Sequence, residues 1–122
     1  MSTTKPYPHI EAQRSTGDWK PVWDQLFDMD PDYLEAFLHF RSVPLTKGSL
    51  EPKYKELIFI AINAATTHLH APGVRRHIQN ALKAGATQAE ILEVIQLTTI
   101  MGIHAMTLAA PILQQEIDQF NA

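Results

Sequence analysis

Hydrophobic residues recur every three to four positions along most of the chain, which is the spacing of one face of an α-helix. Prolines and glycines divide this pattern and mark where helices begin and end. No strand pattern and no internal repeat are visible, so the predicted fold class is all-α, with about six helices. The predicted helices cover residues 17–29, 31–44, 52–67, 72–84, 88–101 and a last stretch that includes 106–117.

The two ends of the chain have different patterns. Residues 1–16 are polar and contain two prolines, so we expect an extended arm there, followed by a single helical domain over 17–122. Thr87 and Glu90 have the spacing of a capping box at a helix start. The residues that follow, 91–101, are apolar nearly all round and should be buried on several sides, by the fold or by another subunit.

Composition excludes several classes of function. A formal net charge of −3 with only ten Lys and Arg residues argues against a nucleic-acid surface. No apolar run reaches the ~18 residues of a membrane span, and the N-terminus lacks the apolar core of a signal peptide. We therefore expect a cytoplasmic protein with no membrane partner. The chain has no cysteine, which excludes disulfides, thiolate metal sites and thiol redox chemistry.

Polar residues on the apolar helix at 52–67 are the first candidates for chemistry. Glu56, Asn63 and Thr67 share one helical face, which leads to a break rich in histidine. His68 and His70 lie in that break, and His77 follows early in the next helix. A carboxylate, an amide and several imidazoles in line could form the wall of an active site.

Three segments resemble the carboxymuconolactone decarboxylase family, which includes the alkylhydroperoxidase D-like proteins. They are K-E-L-I-F-I-A-I-N-A-A, R-H-I-Q-N-A-L-K-A-G-A-T-Q-A-E-I-L-E-V-I and M-G-I-H-A-M-T-L-A-A-P-I-L, within residues 51–117. The resemblance implies a small helical subunit that assembles into a homotrimer or homohexamer. In the family's peroxidase branch a C-x-x-C motif precedes a histidine that pairs with a glutamate. Glu56 and His77 match the glutamate and the histidine, but both cysteines are missing, so thiol peroxidase activity is excluded.

The resemblance points to the decarboxylase branch, although the break here is about two residues longer than the family's usual spacing. It implies a cofactor-free lyase similar to 4-carboxymuconolactone decarboxylase, acting on a small carboxylated lactone or related acid. The alternative is a non-catalytic or ligand-binding oligomer on the same scaffold. The candidate catalytic residues are His77, His70, His68 and Glu56.

Each candidate has a functional and a structural interpretation. His77 could be the general acid, since histidine is the side chain that titrates nearest neutrality, or a half-buried structural partner of Glu56. The histidine cluster would suit zinc or iron, but its spacing matches no strong ligand motif, so we expect no metal and no cofactor. The candidate substrate-binding residues are Arg75 and Arg76, which could hold a carboxylate or form salt bridges, with Asn63 and His104.

The sequence also predicts a geometry. Glu56, His77 and either His68 or His70 should line one pocket, with Arg75 or Arg76 at its mouth or its wall. If the helix runs to Thr67, however, Glu56 lies about 16 Å from its end, whereas His77 lies only about 8 Å beyond Pro72. Direct contact between Glu56 and His77 would then need a strongly crossed packing, a neighbouring subunit or a bridging water.

Overall fold

The computed structural model describes residues 6–122, and it is helical throughout, with no strand in that part of the chain. The all-α prediction is confirmed: the six predicted helices are present, and one helix near the N-terminus is additional. The helices are α1 (Pro8–Arg14), α2 (Pro21–Met29), α3 (Pro31–Thr46), α4 (Pro52–Ala64), α5 (Ala71–Lys83), α6 (Gln88–Thr98) and α7 (Ile103–Phe120), with a 3₁₀ helix at Thr99–Gly102.

The chain divides into two compact units at the boundary between Leu50 and Glu51. In the first unit, Ile10, Leu34 and Leu38 form a buried core that packs against four aromatic side chains, Tyr7, Trp19, Trp23 and Phe27. In the second unit the buried core consists of Ile60, Ala81, Ala86 and Ile91. The assignment of residues 17–122 to a single domain stays a prediction.

The predicted extended arm is wrong over Pro8–Arg14, which form α1; residues 1–5 lie outside the described residues. Pro8 occupies the first turn, where its fixed φ suits a helix. Ile10 is only 1% exposed in the core of the first unit. The Glu35 carboxylate on α3 accepts hydrogen bonds from the backbone N–H groups of His9 and Ile10, so it caps α1 from a distant position.

Two predicted helix ends also need correction. Helix α2 begins at Pro21 rather than at residue 17, because Gly17 has a left-handed backbone with φ of 77°. Helix α4 ends at Ala64 rather than at Thr67, since Ala65 leaves the helical conformation with ψ of 147°. By contrast, the capping box of Thr87 and Glu90 is present as predicted at the start of α6.

The segment from α6 to α7 forms one helical run of 33 residues, Gln88–Phe120, interrupted only by the change to 3₁₀ geometry. By length and composition this run could cross a membrane, with a mean hydropathy of 1.5 over a window of 18 residues, so the expectation that no stretch is long enough is wrong. The expectation divided the run at Gly102, whereas the helix continues through it. Length and composition alone do not distinguish a membrane span from a helix that packs between subunits.

Candidate active site

Glu56 and His77 form a buried acid–base pair between α4 and α5. The Oε2 atom of Glu56 lies 2.6 Å from the Nδ1 atom of His77, and His77 is only 7% exposed. Phe59, one turn after Glu56, stacks on the imidazole with ring centroids 4.6 Å apart and planes inclined by 14°. The carboxylate engages one ring nitrogen, so Nε2 is the nitrogen left to exchange a proton with a ligand.

The break between α4 and α5 is held by contacts around Asn63. Its backbone carbonyl accepts a hydrogen bond of 2.8 Å from the N–H of His70, the residue before α5. Its side-chain amide donates to the Phe59 carbonyl at 2.8 Å. Gly73 in the first turn of α5 lies so close that a Cβ atom there would approach the Oδ1 and Cγ atoms of Asn63 to under 3.0 Å. Asn63 is therefore buried at the contact between the two helices, and its predicted role in substrate binding stays a prediction.

His68 and His70 form a second pair, on the surface of the break. Both side chains are exposed, and their ring centroids lie 5.5 Å apart. Leu69 between them has a left-handed backbone with φ of 46°, a conformation that costs a non-glycine residue about 1 kcal/mol. The structure thus brings together Glu56 with His77 and His68 with His70. The ring of His70 lies near Gly73, one turn before His77.

The two arginines lie on different sides of α5. Arg75 is exposed and lines a cavity of about 580 Å³ together with Leu69, Ala71, Val74, Ile78 and Gln79. His77 is two residues further along the helix, which turns its side chain by about 200° relative to Arg75. Arg76 is half-buried, and helix geometry turns its side chain by about 100° from both Arg75 and His77. Of the two arginines, Arg76 is therefore the one turned less far from the acid–base pair.

His104 is exposed in the first turn of α7, which directly continues the 3₁₀ helix. Within one subunit the structure does not bring it to the Glu56–His77 pair. In the described part of the chain, 6–122, no three His, Asp or Glu side chains lie close enough together to hold a metal ion.

The sequence interpretation missed Phe59 and Gly73. Phe59 follows Glu56 by three residues, so helical spacing alone places the two on neighbouring positions of one face. Gly73 follows a proline at the start of a predicted helix, where a glycine has no turn to make. Those two local signals could have identified the stacking residue and the close contact between helices.

Comparison with known proteins identifies the relatives of this chain. The solved structure of a proposed gamma-carboxymuconolactone decarboxylase subunit from Burkholderia xenovorans has a TM-score of 0.78 and 35% identity to it. The match covers 98% of this chain and 50% of that one, so this chain spans about half of the length of its solved relative. No curated protein matches the chain. Residues 31–115, which contain both Glu56 and His77, match the carboxymuconolactone decarboxylase family. The chain belongs to this family.

Proposed function

We propose that the protein is a cofactor-free lyase that removes carbon dioxide from a small carboxylated lactone or a related acid, with His77 as the general acid. The observation that carries this proposal is the buried contact of 2.6 Å between His77 Nδ1 and Glu56 Oε2. Membership of the family and the similarity to the solved decarboxylase subunit support the same reaction class.

The reaction needs a general acid and a conjugated carbonyl that accepts the electron pair of the broken bond. The bond between the carboxylate carbon and the substrate ring breaks, and its electron pair enters the conjugated carbonyl as a dienolate. The Nε2–H of the His77 imidazolium then gives its proton to the ring carbon, and carbon dioxide leaves. The Glu56 carboxylate serves as counter-ion to the imidazolium and holds the ring so that Nε2 faces the substrate.

The substrate carboxylate needs a cation close to this acid. Arg76 suits that role, because it is half-buried in the second turn of α5 and is turned less far from His77 than Arg75 is. Asn63 at the contact of α4 with α5 is a candidate for stabilising the dienolate, and His68, His70 and His104 keep their predicted roles as candidates around the pocket. The side chain of Phe59 covers one face of the imidazole and excludes water from it.

We further propose that the protein works in the cytoplasm as a homotrimer or homohexamer. Its partner would be a small-molecule carboxylate, with no metal, nucleic acid or membrane involved. The large apolar surface of α6 and α7, described below, supports an assembly of several copies.

One observation favours a second candidate function, a ligand-binding oligomer without catalysis. The cavity of about 580 Å³ beside Arg75 is lined by other residues than Glu56 and His77. An apolar acid could bind there, with its carboxylate on Arg75, without meeting the buried pair.

The two functions differ in whether bound acid loses carbon dioxide. The test offers 4-carboxymuconolactone and a panel of other carboxylated lactones to the wild type, His77→Ala and the control His39→Ala, and measures carbon dioxide release and binding. For the lyase, His77→Ala lowers kcat/KM by about 10²- to 10⁴-fold, whereas the exposed His39 in the first unit has no effect. Saturable binding without carbon dioxide release by the wild type would establish the second candidate, and full activity of His77→Ala would remove His77 as the acid.

A further inference from the structure

Helix α7 has an apolar seam with the spacing of a coiled coil. Six residues separated alternately by three and four positions share one side of the helix, and all are exposed: Ile103, Met106, Ala110, Leu113, Ile117 and Phe120. This alternation matches the a and d positions of a heptad, which pack against another helix. The exposed fraction of the seam's large side chains runs from 46% at Ile117 to 87% at Phe120.

The exposed apolar area around this seam is too large for a free surface. From Leu92 to Phe120, eleven large hydrophobic side chains are each at least 46% exposed. Only 6% of the apolar window in this helical run is buried. The largest apolar patch of a typical monomer covers only about 300–600 Å², and a stable interface buries about 800 Å² per partner. We therefore expect a partner to cover this surface and to bury an area typical of a stable interface.

The second unit also carries an apolar groove that a helix could fill. The cavity beside Arg75 is continued by a second cavity of about 390 Å³, lined by Ile78, Leu82, Gln88, Ile91, Leu92 and Ile95. Ile78 lines both cavities, so the two adjoin and form a groove along α5 that α6 lines only in its second part. From Ala71 to Leu82 the groove is about 16 Å long, which corresponds to about three turns of a helix.

The charges along α5 and α7 are opposite. Arg75 lines the groove on α5, whereas Arg76 does not; α6 carries Glu90 and Glu93, and α7 carries Glu116 and Asp118 and no Lys or Arg. Contact between α7 and α5 of different copies brings opposite charges together. Pairing of two α7 helices with each other offers no such match.

We propose that α7 of one copy of this chain docks antiparallel in the groove between α5 and α6 of a second copy. The apolar seam of α7 fills the groove, with Leu113 opposite Ile78 and Glu116 beside Arg75. Each copy then supplies one helix and one groove, and a contact between different surfaces of two copies builds a ring when its rotation closes, as a trimer or hexamer requires. The docking is a matter of assembly and does not depend on the proposed lyase chemistry.

Leu108 provides a matched control for Leu113. Both are leucines on α7 with similar exposure, 68% and 64%, but Leu108 lies on the side opposite the seam. In sedimentation at micromolar concentration we expect an oligomer for the wild type and for Leu108→Glu, and a folded monomer for Leu113→Glu. A monomeric wild type, or equal effects of the two substitutions, would overturn the proposal.

Site-specific disulfides identify the occupant of the groove, because the chain has no cysteine of its own. When Leu113→Cys and Ile78→Cys chains are mixed and oxidised, we expect a disulfide between unlike chains. This experiment tests the proposal even if the Leu113→Glu variant does not fold. Dimers of Leu113→Cys chains alone would mean that α7 pairs with itself, which rejects the groove. Co-sedimentation of the wild type with phosphatidylglycerol vesicles, lost in Leu113→Glu, would identify a membrane as the occupant instead.

Discussion

Glu56 and His77 contact each other at 2.6 Å because they lie at nearly the same level of two helices joined by a short break. Glu56 precedes the end of α4 at Ala64 by eight residues, about 12 Å of helix. His77 follows the start of α5 at Ala71 by six residues, about 9 Å of helix. In an antiparallel pair these lengths differ by only about 3 Å, which the two side chains span directly.

The first prediction concerns the carboxylate of this pair. Glu56→Gln keeps the shape of the side chain and removes the charge that stabilises the His77 imidazolium. We expect kcat/KM for decarboxylation to fall by about 10- to 100-fold. Glu93→Gln, an exposed acid on α6, is the control and should leave kcat/KM unchanged. An unchanged kcat/KM in Glu56→Gln would show that Glu56 only packs against the ring.

The direct contact could not be predicted from the sequence because it depends on where α4 ends. The alternation of apolar residues continues past Ala64 and carries no stop signal such as a glycine or a proline until Pro72. The end is fixed instead by hydrogen bonds of the folded chain, in which His68 and Leu69 donate to the Ala65 carbonyl. Because α4 ends three residues earlier than expected and α5 begins one residue earlier, the offset between Glu56 and His77 falls from about 8 Å to about 3 Å.

Local signals predicted the parts of the fold that depend on local chemistry. Prolines in the first turn mark the starts of α3, α4 and α5, and the spacing of Thr87 and Glu90 marks that of α6. Helix α1 was missed although Pro8 gives the same signal, because its segment is largely polar and its cap, Glu35, belongs to another helix. Within the site, the sequence indicated Glu56 and His77 as partners. It could not predict that Arg75 lies on the opposite side of α5, because that depends on which side of α5 faces α4.

The second prediction concerns the close contact of Gly73 with α4. In Gly73→Ala the new Cβ atom meets Asn63 and, at 2.9 Å, the ring of His70. We expect the free energy of unfolding to fall by about 1–3 kcal/mol, since buried neighbours must shift. Thermal unfolding followed by circular dichroism at 222 nm measures the change.

Gly102→Ala is the matched control for that substitution. Its Cβ atom meets nothing within 4 Å, and its backbone is helical, so the change should be neutral or stabilise the fold by up to about 1 kcal/mol. If the Asn63 side chain causes the cost, Gly73→Ala should destabilise an Asn63→Ala background less than the wild type. Equal costs in the two backgrounds would assign the effect to the backbone or to His70.

The third prediction concerns the start of α6. Thr87 Oγ1 accepts from the Glu90 N–H at 3.1 Å, the Glu90 carboxylate accepts from the Thr87 N–H at 2.9 Å, and Lys53 of α4 contacts the same carboxylate at 3.1 Å. Thr87→Ala should lower the free energy of unfolding by about 1 kcal/mol. Thr87→Ser keeps the hydroxyl and should restore most of it. Equal stability of all three proteins in thermal unfolding would show that the cap is dispensable.

Glu35 makes the stability of the first unit depend on pH. Burial raises the pKa of the Glu35 carboxyl, but hydrogen bonds from the Ile10 N–H and from the side chain and N–H of His9 outweigh it, so the pKa lies below its ordinary value of 4.5. A folded-state pKa below the unfolded one means that the stabilisation is complete above pH 4.5 and is lost as the pH falls through the folded value.

Glu35→Gln tests this dependence as the fourth prediction. At pH 7 we expect this variant to be less stable than the wild type by about 1–3 kcal/mol, since the carboxylate accepts several hydrogen bonds. The difference should shrink as the pH falls below 4.5, because the wild-type carboxyl becomes neutral too. Trp19 and Trp23, the only tryptophans of the chain, both lie in the first unit, so their fluorescence during urea unfolding reports on it. Asp28→Asn, an exposed change in α2, is the control for net charge. If the stability difference between Glu35→Gln and the wild type stays constant from pH 7 to strongly acid solution, the Glu35 charge does not stabilise α1.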